Sequence, residues 1–149
     1  MANKVTNIGK GRFVYYATLP AAADAFIAVV LEAAGLEADD ALQDYDDLAA
    51  MLAAANNEQT TMGRKTLTGV TVTVNDTTNV ASVDVADITW LAATGNATGK
   101  LVICYDGYTG AGTDAIIIPL TIHDFSVTPD GTDITVQIDS AGIATSADA

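Results

Sequence analysis

Residues 100–125, KLVICYDGYTGAGTDAIIIPLTIHDF, limit what this chain can fold into more than any other stretch. Two apolar runs, Leu101 to Tyr105 and Ala115 to Leu120, flank a nine-residue loop made mostly of Gly, Asp and Thr. Each run is too short for a stable helix and is dense in Val, Ile and Tyr, so both read as buried strands. Pro119 lies inside the second run. Proline has no amide to give a central ladder, so a bulge or an unpaired amide is expected there.

The same period-two logic extends over much of the chain. Val70, Val72 and Val74 alternate with Thr71 and Thr73 as a half-buried strand, and NDTTN over 75–79 is a turn. Val83 and Val85 then share a face with Asp84 opposite, and near Asp87 the pattern shifts to Ile88 and Trp90, which predicts a kink or bulge. TGNATG over 94–99 reads as a loop. TPDGTD over 128–133 is a tight turn before Ile134, Val136 and Ile138. Residues 13–19 are expected to form a first strand ended by Pro20. Residues 21–35 read both ways, helix for the alanine run and strand for the Val- and Ile-rich part; strand is taken for 26–32.

One segment has helical period. In ADDALQDYDDLAAMLAAA, residues 38–55, Leu42, Tyr45, Leu48, Met51 and Leu52 trace one stripe. Asp39 or Asp40 is the expected cap, and acids crowd the first half, where they complement the macrodipole. Many short strands with turn signals and one amphipathic helix predict a mainly β (α+β) domain, a β-sandwich or jelly-roll-like fold. The expected division is an arm over residues 1–12, a single domain over 13–143 and a tail over 144–149.

Charge narrows the partners. Nineteen acids face six bases, a formal net charge of −13. Such a chain would repel phosphate, so direct nucleic-acid binding is not expected. Residues 1–12 hold Lys4, Lys10 and Arg12 and no acid, whereas residues 13–63 hold nine acids and no base. A basic arm of this kind can dock on an acidic neighbour, another copy included, or simply fray. A lysine-led start before FVYYATL echoes a secretory leader, but its apolar part is short and interrupted by Tyr15, Tyr16 and Thr18, so it reads as mature chain. The longest apolar run, Ala25 to Leu31, is far below the roughly 20 residues of a membrane helix.

Reactive groups are few. His123 is the lone imidazole and cannot build a zinc site by itself, so a hydrogen-bonded strand-end histidine is expected. Cys104 inside LVICY reads as an inert core thiol, and one cysteine forms no disulfide within the chain. The Asp-rich loops at 106–114 and 130–133 lack calcium-loop spacing. No catalytic, metal or cofactor residues are therefore assigned. A glycan-cleaving pair of Asp106 and Asp124 is the one enzymatic alternative. Arg64 and Lys65 are expected to pair with helix acids such as Asp44 or Asp47, or to meet a neighbouring subunit. Trp90 reads as core. The candidate interface residues are Lys4, Lys10, Arg12, Tyr15, Tyr16, Arg64, Lys65 and Tyr108.

A resemblance adds context to these readings. The segments YDDLAAMLAAANNE, GRKTL, DVADITW, LVICYDGYTG, IIPLTIHDF and TPDGTDITVQIDSAGI resemble a family of small structural proteins of tailed bacteriophages and prophages. The shared pattern is Asp87-Ile88-Thr89-Trp90, a strand closing on Tyr105-Asp106, a Pro119-Leu120 strand and a last strand ending in Ala141-Gly142-Ile143, over residues 36–143. The resemblance implies a virion component made in the host bacterial cytoplasm. The role it implies first is a capsid decoration or cement protein on the head exterior, held by the major capsid protein or by other copies of itself. A tail or baseplate component with a receptor-binding role is the alternative. It implies no catalytic residues, cofactor or membrane.

Overall fold

The computed structural model describes residues 4–9, 12–19, 23–54, 56–110 and 112–147. Along the chain these form β1 (Lys4–Val5), α1 (Phe13–Ala17), β2 (Ala25–Glu32), α2 (Asp39–Leu42), α3 (Leu48–Ala53), β3 (Lys65–Thr66), β4 (Thr71–Asn75) and β5 (Val80–Asp84). Then come β6 (Ile88–Trp90), β7 (Thr98–Asp106), a 3₁₀ turn (Asp114–Ile116), β8 (Ile117–Asp124), β9 (Ile134–Val136) and β10 (Ala144–Ala147). The fold is mainly β with short helices, as the patterning predicts.

The largest sheet has the order β1-β8-β7-β2-β3, and its inner three strands pair antiparallel. Both of its faces are covered, which is why β2, β7 and β8 read as continuous apolar runs and not as alternation. On one face Phe26, Ala28, Val30, Leu101, Ile103 and Leu120 join Val83, Val85, Ile88, Trp90 and Phe125 in the larger core. That core is closed by the two smaller sheets, β10-β5-β4 and β6-β9. On the other face Ile27, Val29, Leu31, Val102, Cys104, Ile117 and Ile122 meet Leu42, Leu48 and Met51. The result is three layers: helical segment, central sheet, small sheets.

The bulge expected at Pro119 is present. Ile103 pairs with Thr121 but Cys104 pairs with Pro119, so Leu120 is the extra residue. The insertion puts Leu120 into one core while Ile122 points into the other. The carbonyls freed there are taken by Thr6, which is fully buried. Its N–H donates to the Leu120 carbonyl at 3.0 Å and its Oγ1 donates to the Pro119 carbonyl at 2.5 Å. Gly9 closes over the same point: a Cβ there would lie 2.6 Å from the Leu120 oxygen.

Five expectations are corrected. Residues 13–17 are a helix and not a strand, because one helical turn lets Val14, Tyr16 and Ala17 reach the larger core, with Tyr16 stacked on Tyr105 at 4.5 Å. The single helix over 38–55 is two, α2 and α3, broken at 43–47. Acids at the end of a helix oppose its dipole, and Asp47 instead starts a new one, its carboxylate accepting from the Ala50 N–H at 2.7 Å. Neither Asp39 nor Asp40 caps α2; Ala38 occupies that position, with no side-chain bond. The apolar stripe survives the break: Leu42, Leu48 and Met51 are buried, and Tyr45 and Leu52 pack beside them. Residues 144–147, expected within a tail, are β10 and pair with β5. Residues 4 and 5, expected within a loose arm, are β1 and pair with β8.

Candidate functional site

The cations organise the polar surface, and the structure spends three of them internally. Lys100, at the head of β7, is the most deeply placed, with its side chain 1% exposed. Its Nζ lies 2.6 Å from an Asp39 oxygen on α2 and 2.6 Å from an Asp124 oxygen on β8. Burial pulls the ammonium's pKa down, but the bonds to Asp124 and Asp39 outweigh it and leave the value raised. This network, absent from the expected interface residues, pins the helical layer to the central sheet.

Arg64 departs from expectation too. It meets neither Asp44 nor Asp47. Its Nε and Nη2 donate to Glu58 at 2.8 and 2.7 Å, and its Nη1 and Nη2 donate to Asp114 at 2.6 and 3.1 Å. Both edges of the guanidinium are thus filled by two-pronged bonds, which raise its pKa and hold Asp114 below the usual carboxylate range. With its donors committed, Arg64 has little left for a neighbouring subunit.

The other expected interface residues are scattered. Lys4 sits 3.3 Å from Asp40, a mostly exposed pair of small energetic weight. Lys10 lies outside the described residues. Arg12 is exposed before α1, and Lys65 is half-buried in β3. Tyr15 is 62% exposed and stands edge-on to Tyr16, which is itself committed to Tyr105. Tyr108 is exposed in the loop between β7 and the 3₁₀ turn. Among the described residues, no ion pair or ring contact gathers these candidates into one patch. Trp90 is core, 1% exposed, its Nε1 donating to the Gly63 carbonyl at 3.0 Å.

A cleft of about 360 Å³ lies between β7–β8 and the segment 136–143. Leu101, Ile103, Phe125, Val136, Ile138 and Ile143 give it apolar walls, and His123, Asp124 and Asp139 supply its ionisable groups. Each of the three is already engaged. His123 Nε2 shares a hydrogen bond of 2.9 Å with Thr121 Oγ1, Asp124 holds Lys100, and Asp139 accepts from the Ala141 N–H at 2.8 Å. Among the described residues no group of three His, Cys, Asp or Glu could hold a metal ion. Asp106, the other half of the proposed glycan-cleaving pair, accepts from the Tyr108 N–H and does not line this cleft. Cys104 is fully buried, and desolvation pushes its thiol far up, so it stays protonated.

His123 has a measurable consequence. Burial, aided by the Lys100 charge, lowers its pKa below the ordinary 6.5. The unfolded chain then binds the proton more readily, so the histidine's contribution to stability is present above pH 6.5 and is lost as pH falls from there through the folded value. Urea unfolding of His123→Gln and of the unaltered chain should therefore converge or cross below pH 6.5. A difference that stays constant from pH 8 to 5 would contradict this assignment.

Comparison with protein-family models, with curated proteins and with solved structures gives no match. Among the described residues no helix is long and apolar enough to cross a membrane.

Proposed function

We propose that this chain is a structural component of a tailed-phage or prophage virion, a decoration protein bound to the outside of the head by protein–protein contacts. The observation that carries this reading is how the charge is used. Lys4, Arg64 and Lys100 are each held by carboxylates of the same chain, so a chain of net charge −13 turns an overwhelmingly acidic surface outward. That surface repels packaged DNA and suits the exterior of a particle, where it would meet protein. The build supports it as well: apolar residues fill two cores, and in the cleft Asp124 serves an ion pair, Asp139 a turn and His123 a hydrogen bond within its strand.

A tail component is the second reading, favoured by Tyr108 and Ile116, both exposed on the long β7–β8 connection where a recognition surface could lie. Copy number separates the two. Quantitative mass spectrometry of purified particles, with antibody labelling by electron microscopy, should find hundreds of copies on heads. A few copies at the tail end would establish the second reading, and absence from particles would overturn both.

A further inference from the structure

The outer edge of β4 is unusual for an exposed strand. β4 ends the order β10-β5-β4 and has the sequence TVTVN, without charge, proline or bulge. Natural edge strands normally carry such features to block pairing with another chain. By contrast β3, an edge strand of the central sheet, carries Lys65.

The direction of the β4 amides follows from its neighbours. The Ile143 N–H donates to the Val83 carbonyl, so Val83 faces β10, and the alternation turns Ser82 and Asp84 towards β4. Through the register, Thr71 and Thr73 bond to β5, whereas Val72 and Val74 present their N–H and C=O groups outward. Val72 and Val74 share the face that carries the fully buried Val83. Val72 packs on the larger core, but Val74 runs past it and is 64% exposed.

We infer that β4 pairs with β4 of a second copy, antiparallel about a two-fold axis at Thr73, joining two three-stranded sheets into one of six strands. In this register Val72 of each copy lies opposite Val74 of the other, so the outward amides and carbonyls satisfy one another and the exposed valines are covered. Thr71 meets Asn75, and the turn residue Asp76 meets Val70, so no acid faces an acid along the seam. An uncharged seam is also where two copies of net charge −13 can approach with least repulsion. The interface is small, so association is weak, and salt should strengthen it by screening the rest of the surface. The inference does not rest on the virion reading, because the purified chain alone tests it.

The register gives a specific crosslink. Across a non-hydrogen-bonded antiparallel pair the Cα atoms are about 4.5 Å apart, within disulfide range. Thr73→Cys should oxidise to a disulfide-linked dimer, while Thr71→Cys, which would face Asn75, should link at least about tenfold more slowly. Buried Cys104 does not compete. Sedimentation of the unaltered chain up to millimolar concentration should show a monomer–dimer equilibrium that tightens with salt. Val74→Lys should weaken it about tenfold or more while the circular dichroism stays unchanged. A chain that remains monomeric throughout, or equal linking of the two cysteine variants, would overturn the inference. So would a dimer whose Thr73→Cys form does not link. The cysteine comparison stands even if Val74→Lys fails to fold, since both threonines are exposed.

Discussion

Lys100→Met should lower the free energy of unfolding by about 3 kcal/mol, the usual cost of stripping one partner from a buried ion pair. Methionine fills the lysine's volume, so the loss reports charge and not a cavity. Asp39 is then left largely buried beside the sheet without its cation, whereas Asp124 can turn to water. The double variant Lys100→Met, Asp39→Leu should recover most of the loss, because an apolar pair can replace a buried ionic one. Chemical denaturation followed by Trp90 fluorescence measures both variants. A single variant as stable as the unaltered chain, or a double variant worse than the single, would show that the network does not hold the helical layer. The sign of the pH dependence follows from the same groups. The folded pKa of Lys100 is raised, so its contribution is complete at neutral pH and is lost only as the solution becomes strongly alkaline. Asp114, held below its ordinary value by Arg64, contributes above about pH 3.8 and is lost as pH falls further.

Trp90→Ala should cost about 3–5 kcal/mol, the range for deleting a large buried aromatic. Three losses combine: the indole's apolar contacts in the larger core, its ring packing on Phe125 at 5.9 Å, and the Nε1 bond to the Gly63 carbonyl. Trp90→Phe keeps most of the volume and removes the donor, so its smaller cost isolates the Gly63 bond. Since Trp90 is the chain's single tryptophan, circular dichroism replaces fluorescence as the readout. A cost under about 1 kcal/mol for Trp90→Ala would mean that the small sheets are not anchored through this residue.

The central sheet was readable because burial on both faces writes itself as uninterrupted Val and Ile in β2, β7 and β8, and because Pro119 can mark few things besides a break in the ladder. What escaped were decisions made by distant residues. The stripe over 42–52 has helical period whether or not the backbone is continuous; Asp47 as a cap and the Asn7 N–H donated to the Gln43 carbonyl decide that it is broken. FVYYA is a good strand sequence until Tyr105 offers Tyr16 a ring to stack on. Arg64 finds Glu58 six residues away but Asp114 fifty residues away, and no local pattern encodes the second. Nothing local to Lys100 shows that Asp39 and Asp124 meet over it, since both acids are distant in the chain. The available signal was its position: it heads the most apolar run of a chain poor in bases.

Thr6 reaches Pro119 across 113 residues. The first strand of the chain thus waits for one of the last to be made before its own hydrogen bonds exist. Residues 40–44 can hold this segment early, through Lys4 on Asp40 and the Asn7 N–H on the Gln43 carbonyl, but its strand pairing requires a loop closed over most of the chain. Any fragment ending before β8 should therefore lack the strand on which β1 pairs, and Thr6 would be left without the carbonyls that it holds.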